Sequence, residues 1–193
     1  MNIFRMMRLA GALALAACTL LPAQQDDEAA PEETPKTTSK EKKLPKGLKP
    51  VPLAIAEMDT FNAKPDLKAK YYIYLISASW CGPCRALMPK VVEAYPAMKK
   101  KKVEVLLISA DQSLKEAQEY PKSHNAKFPA IWQNELKKVS LPGMGGGAGI
   151  PWAVFVTADG EQLENAAANQ CILNWEEICY GKKKGPKKGG KKK

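Results

Sequence analysis

The chain has 193 residues, 45% of them hydrophobic, and a formal net charge of +10. Eight lysines and no acid fall in residues 182–193, so the remainder carries only +2: the basicity belongs to a tail, not to a domain. Without interleaved aromatics that tail does not signal base recognition, and the N-terminal apolar stretch falls short of the about 18 residues that span a bilayer.

In chain order, residues 1–17 open with Arg5 and Arg8 and turn apolar from Leu9, a run that lasts only to Pro22. This is the pattern of an export signal. Leu15-Ala16-Ala17-Cys18 resembles the bacterial lipobox, which implies cleavage before Cys18 and lipidation of that cysteine. Ordinary secretion with cleavage near Ala23 is the alternative, and both readings place the protein outside the cytoplasm, on the periplasmic face of a bacterial membrane if Cys18 is lipidated. Residues 18–50 are rich in Glu, Asp, Lys, Pro and Thr, too polar to offset their ordering entropy, and read as a disordered tether.

From Val51 to about residue 180 the composition is globular, enough for one domain with its own core. Residues 71–77 are apolar on both alternating faces, as in a central strand covered on each side. Leu87, Met88, Val91, Val92 and Tyr95 then share one helical face over residues 85–98, with Pro89 expected to kink that helix and Pro96 to weaken it. Residues 103–109 form a second buried strand, and Ser113 to Glu116 a capping box for a helix reaching about Lys122. Phe128, Ile131 and Trp132 read as core, and His124 as a surface or helix-end residue. Residues 143–149 hold five glycines and predict a mobile rim. Asp159-Gly160 marks a hairpin between residues 154–157 and 162–163, and Asn174 starts a final helix. The tail, residues 181–193, reads as disordered.

The chemistry concentrates in Trp80-Cys81-Gly82-Pro83-Cys84, where a strand hands over to a helix. Cys81 at the helix N-terminus is favoured as a thiolate by unpaired N–H groups and the helix dipole, and Cys84 lies one turn on, placed to resolve a mixed disulfide. Gly82 allows close approach, Pro83 sits where a missing N–H costs nothing, and Trp80 supplies an apolar wall. A CxxC pair also serves zinc, but zinc needs a second ligand pair, and the single histidine, His124, has no partner at ligand spacing. No metal and no cofactor beyond the dithiol is therefore expected. Five cysteines are an odd count; with Cys18 as an anchor, Cys81 with Cys84 and Cys171 with Cys179 remain as candidate pairs, the second a structural disulfide or two buried thiols.

The run SASWCGPCRALMP, with Pro89 five residues after the second cysteine, closely resembles the active-site strand and helix of thioredoxins. The wider run KYYIYLISASWCGPCRALMPKVVEAY, followed by VEVLLISAD, looks most like the tryparedoxin and nucleoredoxin branch and membrane-anchored bacterial thioredoxins. Gly149-Ile150-Pro151 before residues 153–157 is similar to the family's cis-proline loop. The resemblance implies an α/β thioredoxin fold with a central mixed sheet flanked by helices, and substrate docking at Ile150 and Pro151. Two positions depart from the pattern. Leu75 stands where thioredoxins carry a buried aspartate, with no replacement carboxylate visible nearby, and Trp152 stands in place of the threonine after the proline.

Two functions follow as expectations. One is a monomeric thiol-disulfide oxidoreductase acting on disulfide-containing proteins: a reductase drawing electrons from a membrane thiol carrier, since CGPC is the pair of reducing thioredoxins with potentials near about -270 mV, with oxidase or isomerase work as the alternatives that need no such carrier. The other is a tethered binding protein that uses the fold as a scaffold and the lysine tail on anionic surfaces.

Overall fold

The computed structural model describes residues 49–181; the expected leader, Cys18, nearly all of the expected tether and the lysine-rich residues 182–193 lie outside them. In chain order come helix α1 (Val51–Ala56), strand β1 (Tyr71–Ser77), helix α2 (Gly82–Lys100), strand β2 (Val103–Ser109), helix α3 (Leu114–Ser123), strand β3 (Ala130–Trp132), a 3-10 turn (Gln133–Lys137), strands β4 (Trp152–Thr157) and β5 (Gln162–Ala167), and the short helices α4 (Ala168–Cys171) and α5 (Trp175–Tyr180), joined by a 3-10 turn. The sheet order is β3-β2-β1-β4-β5. β1 and β2 run parallel, as do β2 and β3, whereas β4 is antiparallel to both β1 and β5. The expected mixed sheet with flanking helices is present.

Alternation along β1 sorts the core into two layers. Ile73 and Leu75 face α2, packing with Leu87, Met88, Val91, Tyr95 and Met98, and with Trp175 and Cys179 of α5. Tyr72 and Tyr74 face the other way, onto Val51, Ala54 and Ile55 of α1. Leu75 is thus an apolar core residue where the resemblance led one to look for an aspartate. Both faces of β1 are covered, so the strand is an apolar run rather than an alternating one.

α2 begins directly after Cys81, as the motif implied, and continues through Pro96 to Lys100. Pro96 removes one backbone bond, but Tyr95 and Met98 bury the last turns against the sheet, each buried large side chain contributing about 1.5–3 kcal/mol. The capping box of α3 is present in both directions: Ser113 Oγ accepts from the Glu116 N–H, and Glu116 accepts from the Ser113 N–H. The Asp159-Gly160 turn joins β4 to β5, with Gly160 at φ +85°. His124 caps the C-terminus of α3, and Phe128 and Ile131 are fully buried core.

At the end of the domain Asn174 precedes the final helix as expected; Cys171, at the end of α4, and Cys179 are both free, buried thiols, the second of the two alternatives left open. The Cys171 S–H instead faces the Ala167 carbonyl at 3.5 Å. The candidate second disulfide is absent.

Candidate active site

β1 delivers the chain at Ser77 to the turn Ala78-Ser79-Trp80, and Cys81 follows as the N-cap of α2, with extended backbone. As N-cap its sulfur accepts the Cys84 N–H at 3.2 Å, while its carbonyl accepts the Arg85 N–H and closes the first turn. The donor that satisfies the helix end therefore points at the Cys81 sulfur, an arrangement that favours negative charge there. Cys81 and Cys84 are joined as a disulfide. Cys84 is the more deeply buried of the two, at 1% exposed against 6%, so an approaching partner meets Cys81 first.

Around the sulfurs, Ala78, Ala110 and Ile150 form an apolar collar. The Ile150 carbonyl oxygen lies 3.7 Å from Cys81 Sγ, and the Ile150-Pro151 bond is cis, as the resemblance implied. Trp80 projects beside them, 60% exposed. These residues, far apart in sequence, are brought together by the pairing of β1 with β4. A Cβ on Gly82 would meet nothing within 4 Å, so the close approach expected there is not one made among the described residues.

The glycine-rich segment before Ile150 is tied down at alternate positions. A Cβ on Gly147 would fall 2.5 Å from the Trp152 ring, and one on Gly145 would fall 2.2 Å from Asn165 Nδ2, whereas Gly146 and Gly149 have open space. Trp152 donates its indole N–H to Asn165 Oδ1. The large side chain after the cis-proline is accommodated because Gly147 above it has none, and with Gly143, whose Cβ would fall 2.6 Å from Val156 Cγ1, close approach accounts for three of the glycines that the sequence reading assigned to mobility.

Sequence reasoning missed one residue here. Asp111, wholly buried, accepts hydrogen bonds from Ser79 N at 2.8 Å, Ser79 Oγ at 2.7 Å and Ser109 Oγ at 2.7 Å. Its own carbonyl accepts the Trp132 indole N–H at 2.9 Å. Ser77 pairs with Ser109 across the two strands, so the segments leaving β1 and β2 emerge side by side, and a carboxylate two residues past Ser109 reaches the loop two residues before Cys81. Parallel, in-register pairing of the two apolar runs was the signal that could have found it.

Burial pushes the Cys171 thiol up to about 11, helped by the Glu164 charge, and the Cys179 thiol up to about 12. Burial and the nearby Arg85 charge lower His124. Among the described residues, no group of three or more His, Cys, Asp or Glu side chains gathers as a metal site would require.

A mixed sheet with a CxxC disulfide at the N-terminus of its long helix, facing a cis-proline loop, defines a thioredoxin-fold protein built around a dithiol-disulfide pair. Residues 69–162 match the model of the family described as thioredoxin-like, and the chain carries a domain of that family. Thiol-disulfide oxidoreductase ResA of Bacillus cereus is 29% identical over 105 residues, which are 54% of this chain and 59% of that protein. The chain therefore spans about three fifths of that relative's length. Probable nucleoredoxin 1 of Arabidopsis thaliana is 31% identical over 111 residues, 56% of this chain and 19% of that one. Among solved structures, tryparedoxin II from C. fasciculata superposes with a TM-score of 0.47 at 25% identity, covering 66% of this chain and 91% of that one.

Proposed function

We propose that this chain is an extracytoplasmic thiol-disulfide oxidoreductase that reduces disulfides in exported proteins. The observation that carries the reading is the Cys81-Cys84 pair at the N-terminus of α2, its outer sulfur receiving the Cys84 N–H and facing the Ile150 carbonyl. The name of the ResA relative, thiol-disulfide oxidoreductase, supports it.

In the reduced protein the Cys81 thiolate attacks one sulfur of a partner disulfide. That bond breaks, the departing partner sulfur takes a proton, and Cys81 is left in a mixed disulfide. Cys84 then loses its proton and attacks Cys81 Sγ, re-forming the Cys81-Cys84 bond and releasing the second partner sulfur as a thiol. Two electrons pass to the partner, and a membrane thiol carrier returns two to the pair; the dithiol is itself the redox group. Ile150 and Pro151 hold the partner segment, Trp80 flanks it, and Gly82 and Pro83 leave the approach clear. Lipid on Cys18 and the tether of residues 18–50 hold the domain of residues 51–180 at the membrane, with residues 1–17 removed as leader and residues 181–193 as a tail.

Trapping tests this reading. Cys84→Ser should accumulate mixed disulfides with exported proteins, and Cys81→Ser should accumulate none and lose turnover of a protein disulfide. Full turnover by Cys81→Ser would contradict the assignment.

A further inference from the structure

We propose that the end of the domain opposite the disulfide is a docking face for an anionic phospholipid bilayer. Both elements that carry the redox site also reach that end. Lys70 immediately precedes β1, whose other end leads to Cys81, and Lys100 ends α2, whose other end is capped by Cys81. A strand of 7 residues spans roughly 23 Å and a helix of 19 residues roughly 28 Å, so the lysines and the sulfurs occupy opposite poles.

At the lysine pole lies a concavity of about 400 Å³ lined by Lys70, Lys100, Lys101, Lys102, Tyr180 and Gly181, with Glu176 the one acid on its wall. Lys101 pairs with Glu176, and Lys102 lies 3.9 Å from Asp66, which offsets part of the charge. Compensation of the α2 C-terminal dipole accounts for Lys99 and Lys100 in its last turn. It does not account for Lys70 and Lys102, which enter from the starts of β1 and β2 and whose backbones pair with each other there. The chain leaves the domain at Gly181, on the rim of the same concavity, and its sequence continues with eight lysines and no acid.

The chemistry favours a lipid surface over a nucleic acid. The arginines of the chain are Arg5, Arg8 and Arg85, so none lines the pocket or stands in the tail, and the forked recognition that bases and nucleic-acid phosphates invite is missing. Lysines act as diffuse point charges suited to anionic headgroups, and Tyr180, 45% exposed beside the Lys101 ammonium, is a residue type that settles at the membrane interface. The choice of a bilayer rests on the exported, tethered reading above. Docked this way, the domain would turn its disulfide towards exported partners, and release from the surface, which a salt-sensitive lysine contact permits, would let the pair turn back to the membrane thiol carrier.

The test uses residues 18–193 carrying Cys18→Ser, which have neither leader nor lipid, and compares sedimentation with phosphatidylglycerol-containing vesicles against pure phosphatidylcholine vesicles. Stronger binding to the anionic vesicles, falling as salt is raised, is expected. Lys70→Gln with Lys100→Gln should weaken it by about tenfold or more, at about 1 kcal/mol per lysine near the surface. Lys90→Gln with Lys115→Gln, the same charge change on exposed positions outside the concavity, should change it by less than about twofold on the same basis. Deleting residues 182–193 should weaken binding without abolishing the effect of the Lys70 and Lys100 changes. Wild-type binding by the Lys70/Lys100 variant, equal loss in the control pair, or tighter binding of duplex DNA than of anionic vesicles would overturn the proposal. Alkylation of reduced Cys81 should proceed on vesicles as fast as in solution; protection by the bilayer would overturn the orientation. Since turnover of a protein disulfide is measured without vesicles, failure there leaves the docking result standing, and the reverse.

Discussion

The Asp111 carboxylate holds Ser79 by both its backbone N–H and its hydroxyl, at 2.8 and 2.7 Å, and so fastens the segment after β2 to the loop that presents Cys81. Ser109 donates to the other carboxylate oxygen at 2.7 Å. Asp111→Ala would leave three donors without their acceptor, the wholly buried Ser109 hydroxyl and the half-buried N–H and hydroxyl of Ser79. With about 1–3 kcal/mol for each unsatisfied group, the variant should lose about 3 kcal/mol or more in urea unfolding. Asp111→Asn keeps one acceptor oxygen for Ser79 and should lose about half as much. If the bond positions the active-site loop, both variants should also change the rate of Cys81 alkylation at a pH and temperature where they remain folded.

Alternate glycines of the rim should respond differently to one added methyl. Gly147→Ala drives a carbon into the Trp152 ring and should cost about 1–3 kcal/mol while shifting tryptophan fluorescence. Gly146→Ala meets open space and should fall within about 0.5 kcal/mol of the parent. Thermal unfolding of the two variants side by side checks the pair.

The buried thiols predict how stability falls in alkali. Unfolded, Cys171 and Cys179 titrate near 9; folded, burial holds them up to about 11 and about 12. A thiol whose folded pKa is raised adds stability that is fully present below its unfolded pKa and lost as pH rises through the folded value. The melting temperature should therefore decline from about pH 9 towards 12, and Cys171→Ala with Cys179→Ala should flatten that decline. Peptide mapping after alkylation at pH 8 should find neither residue modified until the protein is unfolded.

Ser113 tests whether local capping matters to α3. Ser113→Ala removes the oxygen that accepts the Glu116 N–H and should cost about 1 kcal/mol in urea unfolding.

How much of this was legible depended on how local each signal was. β1 and β2 announced themselves as apolar runs, the α3 start as a capping box, and the β4-β5 turn as Asp-Gly, because each rests on neighbours in sequence. Cys81 at a helix N-terminus and Pro151 opposite it followed from short motifs. Asp111 was missed because its role arises only when β1 and β2 lie in register. α2 outran Pro96 because tertiary burial of Met98 outweighed one lost backbone bond. At the C-terminus the final helix begins after Asn174 as read, whereas α4, only 4 residues long, is too short to show a period. Three-residue β3 carries too short a pattern to be read at all.

The central claim, a reducing dithiol at Cys81 and Cys84, is tested most directly by the reduction potential of that pair, measured by equilibration with glutathione or dithiothreitol. A potential near about -270 mV, that of thioredoxin, is expected. A value near about -180 to -120 mV, where disulfide isomerase and the strong oxidant DsbA lie, would contradict the reductase reading, and the absence of any redox transition would contradict the oxidoreductase itself.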